Sequence, residues 1–161
     1  MYKSNKKTTM LKENTMPLLN YTTTIDINKT LGEIQKILVK HGARKLMFDY
    51  DKSGHIQALC FSVDTPNGER GIKLPANVSV IFEVLKQQKS SGKIKTNPNY
   101  EQAEGVAWHI IKVWVEAQMA ILETQMVQFD EIFLPYLLND KGQTFFQMYQ
   151  QNRLMIDSPS I

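Results

Sequence analysis

The apolar positions of this chain change period along its length, and each change marks an element. Leu31, Ile34, Ile37 and Leu38 recur at helical spacing. They predict a first helix over about Leu31–His41. Asn28 or Thr30 is placed to cap it, Glu33 stands three residues after Thr30 in capping-box spacing, and Gly42 closes it. From Lys45 the period drops to two. Leu46, Phe48 and Tyr50 share one face of a strand, and Leu59, Phe61 and Val63 share one face of a second strand over Ile56 to Val63. Ile72 and Leu74 mark a short third strand from Glu69. The turns Asp51-Lys52-Ser53-Gly54 and Thr65-Pro66-Asn67-Gly68 are too short for anything but an antiparallel meander.

Helical spacing returns at Val78, Ile81, Phe82 and Leu85, after the start signal Pro75-Ala76-Asn77. The pattern fades from Lys86 to Lys95, which reads as a helix end and an exposed loop. From Asn99 to Met126 apolar residues stand on almost every side of one long helix, with Asn99 and Gln102 in capping-box spacing. A helix with so little polar surface must be covered by its own chain or by a partner. Trp108, Trp114, Met119 and Met126 are read as its core-facing side chains. A short helix is predicted from Gln128 or Asp130 to Leu138, kinked at Pro135. Asn139 to Gly142 is a turn, and Thr144–Arg153 a last helix.

This order predicts an α+β fold: a three-stranded antiparallel meander flanked by helices (α-β-β-β-α), then a helical C-terminal half with one long central helix. Residues 1–24 read as a flexible basic arm, and residues 25–161 as a single domain of ordinary size. Residues 30–90 share their element order with the double-stranded-RNA-binding domain. The second helix starts Pro75-Ala76-Asn77-Val78 without that domain's lysine cluster, so the likeness is one of element order only.

The run from Ile25 to Leu138 resembles small uncharacterised proteins encoded by phages, prophages and other mobile elements. The residues that carry the resemblance are Leu31-Gly32-Glu33-Ile34, Lys73-Leu74-Pro75-Ala76-Asn77, the stretch from Trp108 to Ala120, and Phe133-Leu134-Pro135-Tyr136-Leu137-Leu138. The resemblance implies a mobile-element origin. It transfers no site residues.

Charge changes the picture more than composition does. The overall +3 divides unevenly: residues 1–95 carry 16 Lys/Arg against 8 Asp/Glu, and residues 96–161 carry 3 against 8. The single cysteine, Cys60, lies in an apolar run and rules out an internal disulfide framework and a cysteine-rich zinc site. The N-terminal lysines precede no apolar run of the secretory kind, and no segment is long and apolar enough to span a bilayer. A host-cell cytoplasmic setting, without membrane association, is expected.

Few constellations offer catalysis. His109, Lys112, Glu116 and Glu123 share a narrow polar strip on the long helix, but His109 and Glu116 are two turns apart and cannot share one ion. The strip reads as the solvated edge of a buried helix. Asp49, Asp51 and Asp64 fall near strand ends, where aspartates usually serve the backbone. There is no phosphate-binding glycine loop, Cys–His pair or nucleophile elbow. Neither an enzyme nor a cofactor or metal site is expected.

The basic segments remain. Lys3, Lys6 and Lys7 lie on the arm. Lys40, Arg44 and Lys45 follow the first helix. Lys86, Lys89, Lys93 and Lys95 flank the loop before the long helix. Such groups can neutralise several phosphates, and Tyr2, Tyr21, Tyr50 and Tyr100, where exposed, could stack on single strands. Scarcity of arginine argues for backbone contacts over base readout. The expectation is a non-enzymatic, backbone-directed nucleic-acid-binding accessory protein of a phage or mobile element. The alternative is a modulator or inhibitor that docks on a host or phage enzyme through its C-terminal helices. The apolar circumference of the long helix also admits a homodimer.

Overall fold

A computed structural model describes residues 26–152. The elements follow the order α1 (Ile27–Lys40), β1 (Ala43–Tyr50), β2 (Ile56–Thr65), β3 (Gly68–Pro75), α2 (Val78–Ser90), α3 (Tyr100–Glu123), α4 (Phe129–Phe133), a 3-10 turn (Leu134–Tyr136) and α5 (Phe145–Asn152). This is the α+β meander with a helical C-terminal half. The predicted arm lies outside the described residues.

α1 begins four residues earlier than the apolar pattern suggests. Asp26 caps it, its carboxylate accepting from the backbone N–H groups of Asn28 and Lys29 at 3.0 and 3.3 Å. Thr30 is therefore inside the helix and buried, and its hydroxyl donates back to the Asp26 carbonyl. Ile27 extends the core stripe by one turn.

The sheet has strand order β1-β2-β3, all antiparallel. Leu46, Phe61 and Ile72 stand opposite one another, as do Phe48, Leu59 and Leu74. These two rows enter the core beneath the helices. On the other face two ion pairs cross the central strand. Lys45 reaches Glu69 at 2.9 Å, flanking Ser62, and Lys73 reaches Asp49 at 2.7 Å, flanking Cys60. Burial raises the Cys60 thiol above its ordinary pKa, as suits a filler rather than a nucleophile.

The segment after Pro135 departs from the expected helix. Leu137 forms a bridge with Ile72, and the Leu138 N–H donates to the Gly71 carbonyl at 2.8 Å. A two-residue rung thus covers part of the β3 edge. That satisfies backbone groups an open edge would leave exposed.

α3 is the spine. Asn99 caps it through a 2.7 Å bond from the Gln102 N–H. From Ala103 to Trp108 every residue is buried, because α1 and α2 both pack along α3 while its Trp108 stripe joins the common core. Beyond Ile110 burial continues on one face only, through Val115 and Met119. Val113 and Ile121 are 41% and 38% exposed. Met126 lies past the helix end and is 74% exposed, so it does not belong to the core.

Candidate nucleic-acid interface

The meander sends the two described lysine groups to opposite ends of the sheet. Arg44 and Lys45 open β1, beside the β2–β3 turn. Lys86 lies on the β1–β2 hairpin side, because it covers the Phe82 ring and Tyr100 contacts both Phe82 and His55 of that hairpin; Lys89, Lys93 and Lys95 follow it along the end of α2 and the loop beyond. The six residue steps from Arg44 to Tyr50 separate the ends by roughly 20 Å.

At the first end the charge is locally neutralised. Arg44 donates to Asp64 at 2.9 Å, Lys45 to Glu69 at 2.9 Å, and Lys40 stands 4.0 Å from Glu123. The Lys45 hydrogen bond is the largest influence holding the Glu69 carboxyl below its ordinary pKa. The β-hairpin register creates this end, since Asp64 pairs with Glu69 across the turn that also brings in the start of β1.

At the second end only one of the four lysines forms an ion pair with a carboxylate of the described residues. Lys86 pairs with Glu83 at 2.8 Å and lies over the Phe82 ring, 4.2 Å from its centroid. The Lys89 ammonium donates to the Lys95 carbonyl, so its bond leaves its charge unneutralised. No carboxylate among the described residues pairs with Lys89, Lys93 or Lys95. The loop that carries them is held by Ile94, which is 2% exposed and anchors the segment to the core. The expected exposed loop is therefore pinned at its centre, with a lysine on either side of the anchor.

Rings line the same end. His55 and Tyr100 meet edge to face at 4.8 Å, and Tyr100 and Phe82 at 6.1 Å. Glu104, buried on α3, fixes the hairpin to the helix: it accepts from the His55 Nδ1–H at 3.2 Å and from the Ile56 N–H at 3.3 Å. Asp51 accepts from the N–H groups of Ser53 and His55 and from the Gln57 side chain, and the His55 bond leads in lowering its pKa. Tyr50, 60% exposed, closes β1 beside this turn. The hairpin is thus a fixed platform rather than a loose tip. Sequence reasoning missed Glu104 and His55 in this role. Their 49-residue separation carries no local signal.

The polar strip of α3 borders α1, with Lys112 largely covered there and Glu116 and Glu123 exposed at the edge. Lys112 bonds Glu33 at 2.6 Å and stands 3.9 Å from Glu116, while Glu123 accepts from the His41 Nε2–H at 2.8 Å. The Lys112 bond pulls the Glu33 carboxyl down, and the Lys112 ammonium is raised in return. The His41 bond pulls the Glu123 carboxyl down. The three strand-end aspartates are separately engaged: Asp49 with Lys73, Asp51 with the turn backbone, Asp64 with Arg44. Among the described residues no cluster of His, Cys, Asp or Glu is arranged to hold a metal ion. No helix of the described residues is long and apolar enough to cross a membrane.

One cleft of about 760 Å³ lies on the far side of α3 from α1, with Trp114, Ile110, Tyr136, Pro75 and Phe146 among its walls. Trp114 meets Phe133 and Tyr136 edge to face, at 5.6 and 5.4 Å. Its one cationic wall residue, Lys73, is already paired with Asp49. The cleft therefore offers aromatic and apolar surface without free charge. Comparison of the chain with protein-family models, curated proteins and solved structures finds no match.

Proposed function

We propose that this is a non-enzymatic nucleic-acid-binding accessory protein of a phage or mobile element, working in the host cytoplasm. It holds the phosphate backbone at the corner between α2 and α3. The observation that carries this reading is the lack of local pairing there: Lys86 pairs with Glu83, while Lys89, Lys93 and Lys95, around a pinned loop, form no ion pair with a carboxylate of the described residues. Arg44 and Lys45, spent on carboxylates, contribute little. Lys3, Lys6 and Lys7 lie outside the described residues and can add contacts of the same kind. Lysine at these positions supplies point charges, so binding is weakly sequence-specific.

The test is binding to labelled single-stranded and duplex oligonucleotides at two salt concentrations. Four phosphate contacts predict a fall of roughly 50- to 150-fold between about 50 and 200 mM salt. Absence of binding at low salt, or affinity indifferent to salt, removes the proposal. The Trp114 cleft favours a second reading, a modulator that docks on a host or phage enzyme. Such a complex would survive high salt, since its contacts are apolar.

A further inference from the structure

The two edges of the sheet are finished differently. β3 is partly covered at Gly71 and Ile72 by the Leu137–Leu138 rung. β1 forms the other edge, and no strand, bridge or loop of the described residues pairs with its outward side. Its register with β2 breaks between Ala43 and Lys45 and again between Asp49 and Tyr50, leaving Lys45–Asp49 in even pairing. Met47 is the middle residue of that stretch and is 58% exposed.

Charges on an edge strand ordinarily keep other strands away. Here there are two, opposite in sign and equidistant from Met47: Lys45 stands two residues before it and Asp49 two after. Both keep bonding capacity. Lys45 bonds Glu69 while its side chain stays 75% exposed, and Asp49 receives Lys73 on Oδ2, which leaves Oδ1 without a partner among the described residues.

We infer that β1 is an interface for a second copy of this chain, the two β1 strands pairing antiparallel about a two-fold axis at Met47 to give one six-stranded sheet. In that register Lys45 stands opposite Asp49 of the second copy, Leu46 opposite its Phe48, and Met47 opposite its own symmetry mate. Opposed residues of an antiparallel pair share a face. The outer face therefore gains two ion pairs around the Met47 contact. Each joins two existing pairs into a row of alternating charge: Glu69 and Lys45 of one copy, then Asp49 and Lys73 of the other. The core face gains Leu46 against Phe48, both only half-buried within one chain. About four to six backbone hydrogen bonds close the seam.

Neighbouring registers lose this match. An axis at Leu46 sets Lys45 against Met47 and Asp49 against Ala43, and an axis at Phe48 sets Met47 against Asp49. A parallel copy in register sets each charge beside its own kind. The two-fold contact closes on itself, and the rung on β3 leaves less edge for a third copy. One consequence rests on the nucleic-acid reading, while the pairing does not: the two α2–α3 corners fall at opposite ends of the joined sheet.

The test uses the full chain. So short a seam belongs to the weak class of interfaces, so light scattering should show the mean mass climbing from 18.5 kDa toward twice that value between about 10 µM and 1 mM. Lys45→Asp and Asp49→Lys each set like charges opposite one another. Each should hold the single-chain mass with an unchanged circular dichroism spectrum, and an equal mixture of the two should form a heterodimer. Met47→Cys is the milder probe, made with Cys60→Ala because Cys60 stands opposite it on β2. A short bis-maleimide should link it into a covalent dimer, while the same change at Lys36, exposed on α1, should yield none. A single-chain mass throughout with no link at position 47 overturns the inference. So does a dimer that both charge variants leave intact, or a mixture of them that stays single-chain. Slow hydrogen exchange of the β1 amides in a single-chain species would give the edge to another segment of this chain and overturn it as well. A dimer that binds no oligonucleotide removes the function proposed above and leaves this pairing standing; a single-chain protein that binds does the reverse.

Discussion

The two ends of the sheet carry cations in similar density and put them to different use. At the β2–β3 end, Arg44 and Lys45 are held by Asp64 and Glu69. At the β1–β2 end, Lys89, Lys93 and Lys95 have no carboxylate partner among the described residues, and Lys86 shares Glu83 while lying over Phe82. The difference shows that counting charge along a chain does not measure the charge available to a ligand. Folding subtracts whatever the register brings opposite.

Both ends hang on α3, so breaking the spine should disturb them together. Trp108 is fully buried, and Trp108→Ala should cost about 3–5 kcal/mol of stability, read as an earlier denaturant midpoint. Next in size is the exposed ring at the open end. If bases stack on Tyr50, Tyr50→Ala should weaken single-strand binding by about 1–3 kcal/mol, roughly 5- to 150-fold, with little change in the denaturant midpoint.

The α1–α3 seam supplies a pH prediction. Glu33 and Glu123 have carboxyls lowered in the folded state, by Lys112 and His41 respectively. Their contribution is complete above the ordinary carboxylate range and is lost as pH falls through the lowered values. Lys112 is raised, so its share is complete below about 10.5 and is lost as pH climbs past its folded value. Denaturant midpoints should therefore decline at both extremes, and Lys112→Met should flatten both declines. Wild-type and variant curves that run parallel would show the seam to be electrostatically idle. The smallest effect is expected at the neutralised end. Arg44→Gln with Lys45→Gln should change oligonucleotide affinity by less than about twofold, because exposed pairs of this kind hold little free charge to lose. A larger loss would mean that nucleic acid displaces Asp64 and Glu69.

Much of the fold was legible because it is local. Period-two alternation marked the strands, Gly54 and Gly68 marked turns at positive φ, and Asn99 marked the start of α3. Other features needed the third dimension. Ile94 stands alone among lysines and has no periodic neighbour to announce its burial. Leu137 and Leu138 follow Pro135 as a helix end would, and only the proximity of β3 makes them a rung. The Asp26 cap was hidden because Thr30 offers an equally good local signal. For the candidate site, the lysines themselves were readable. Which of them remain unpaired depends on the hairpin register and on the long-range contacts of Tyr100 with Phe82 and His55, and no spacing encodes those.

The central claim is that the α2–α3 corner, and not the other end, meets the phosphates. The direct measurement is the slope of log affinity against log salt for the wild-type chain and for a variant with Lys86, Lys89, Lys93 and Lys95 all changed to Gln. The account predicts a slope shallower by about 3 in the variant, the counterions of four phosphate contacts no longer being released. Parallel slopes for the two proteins, or a wild-type chain that binds nothing at low salt, would contradict it.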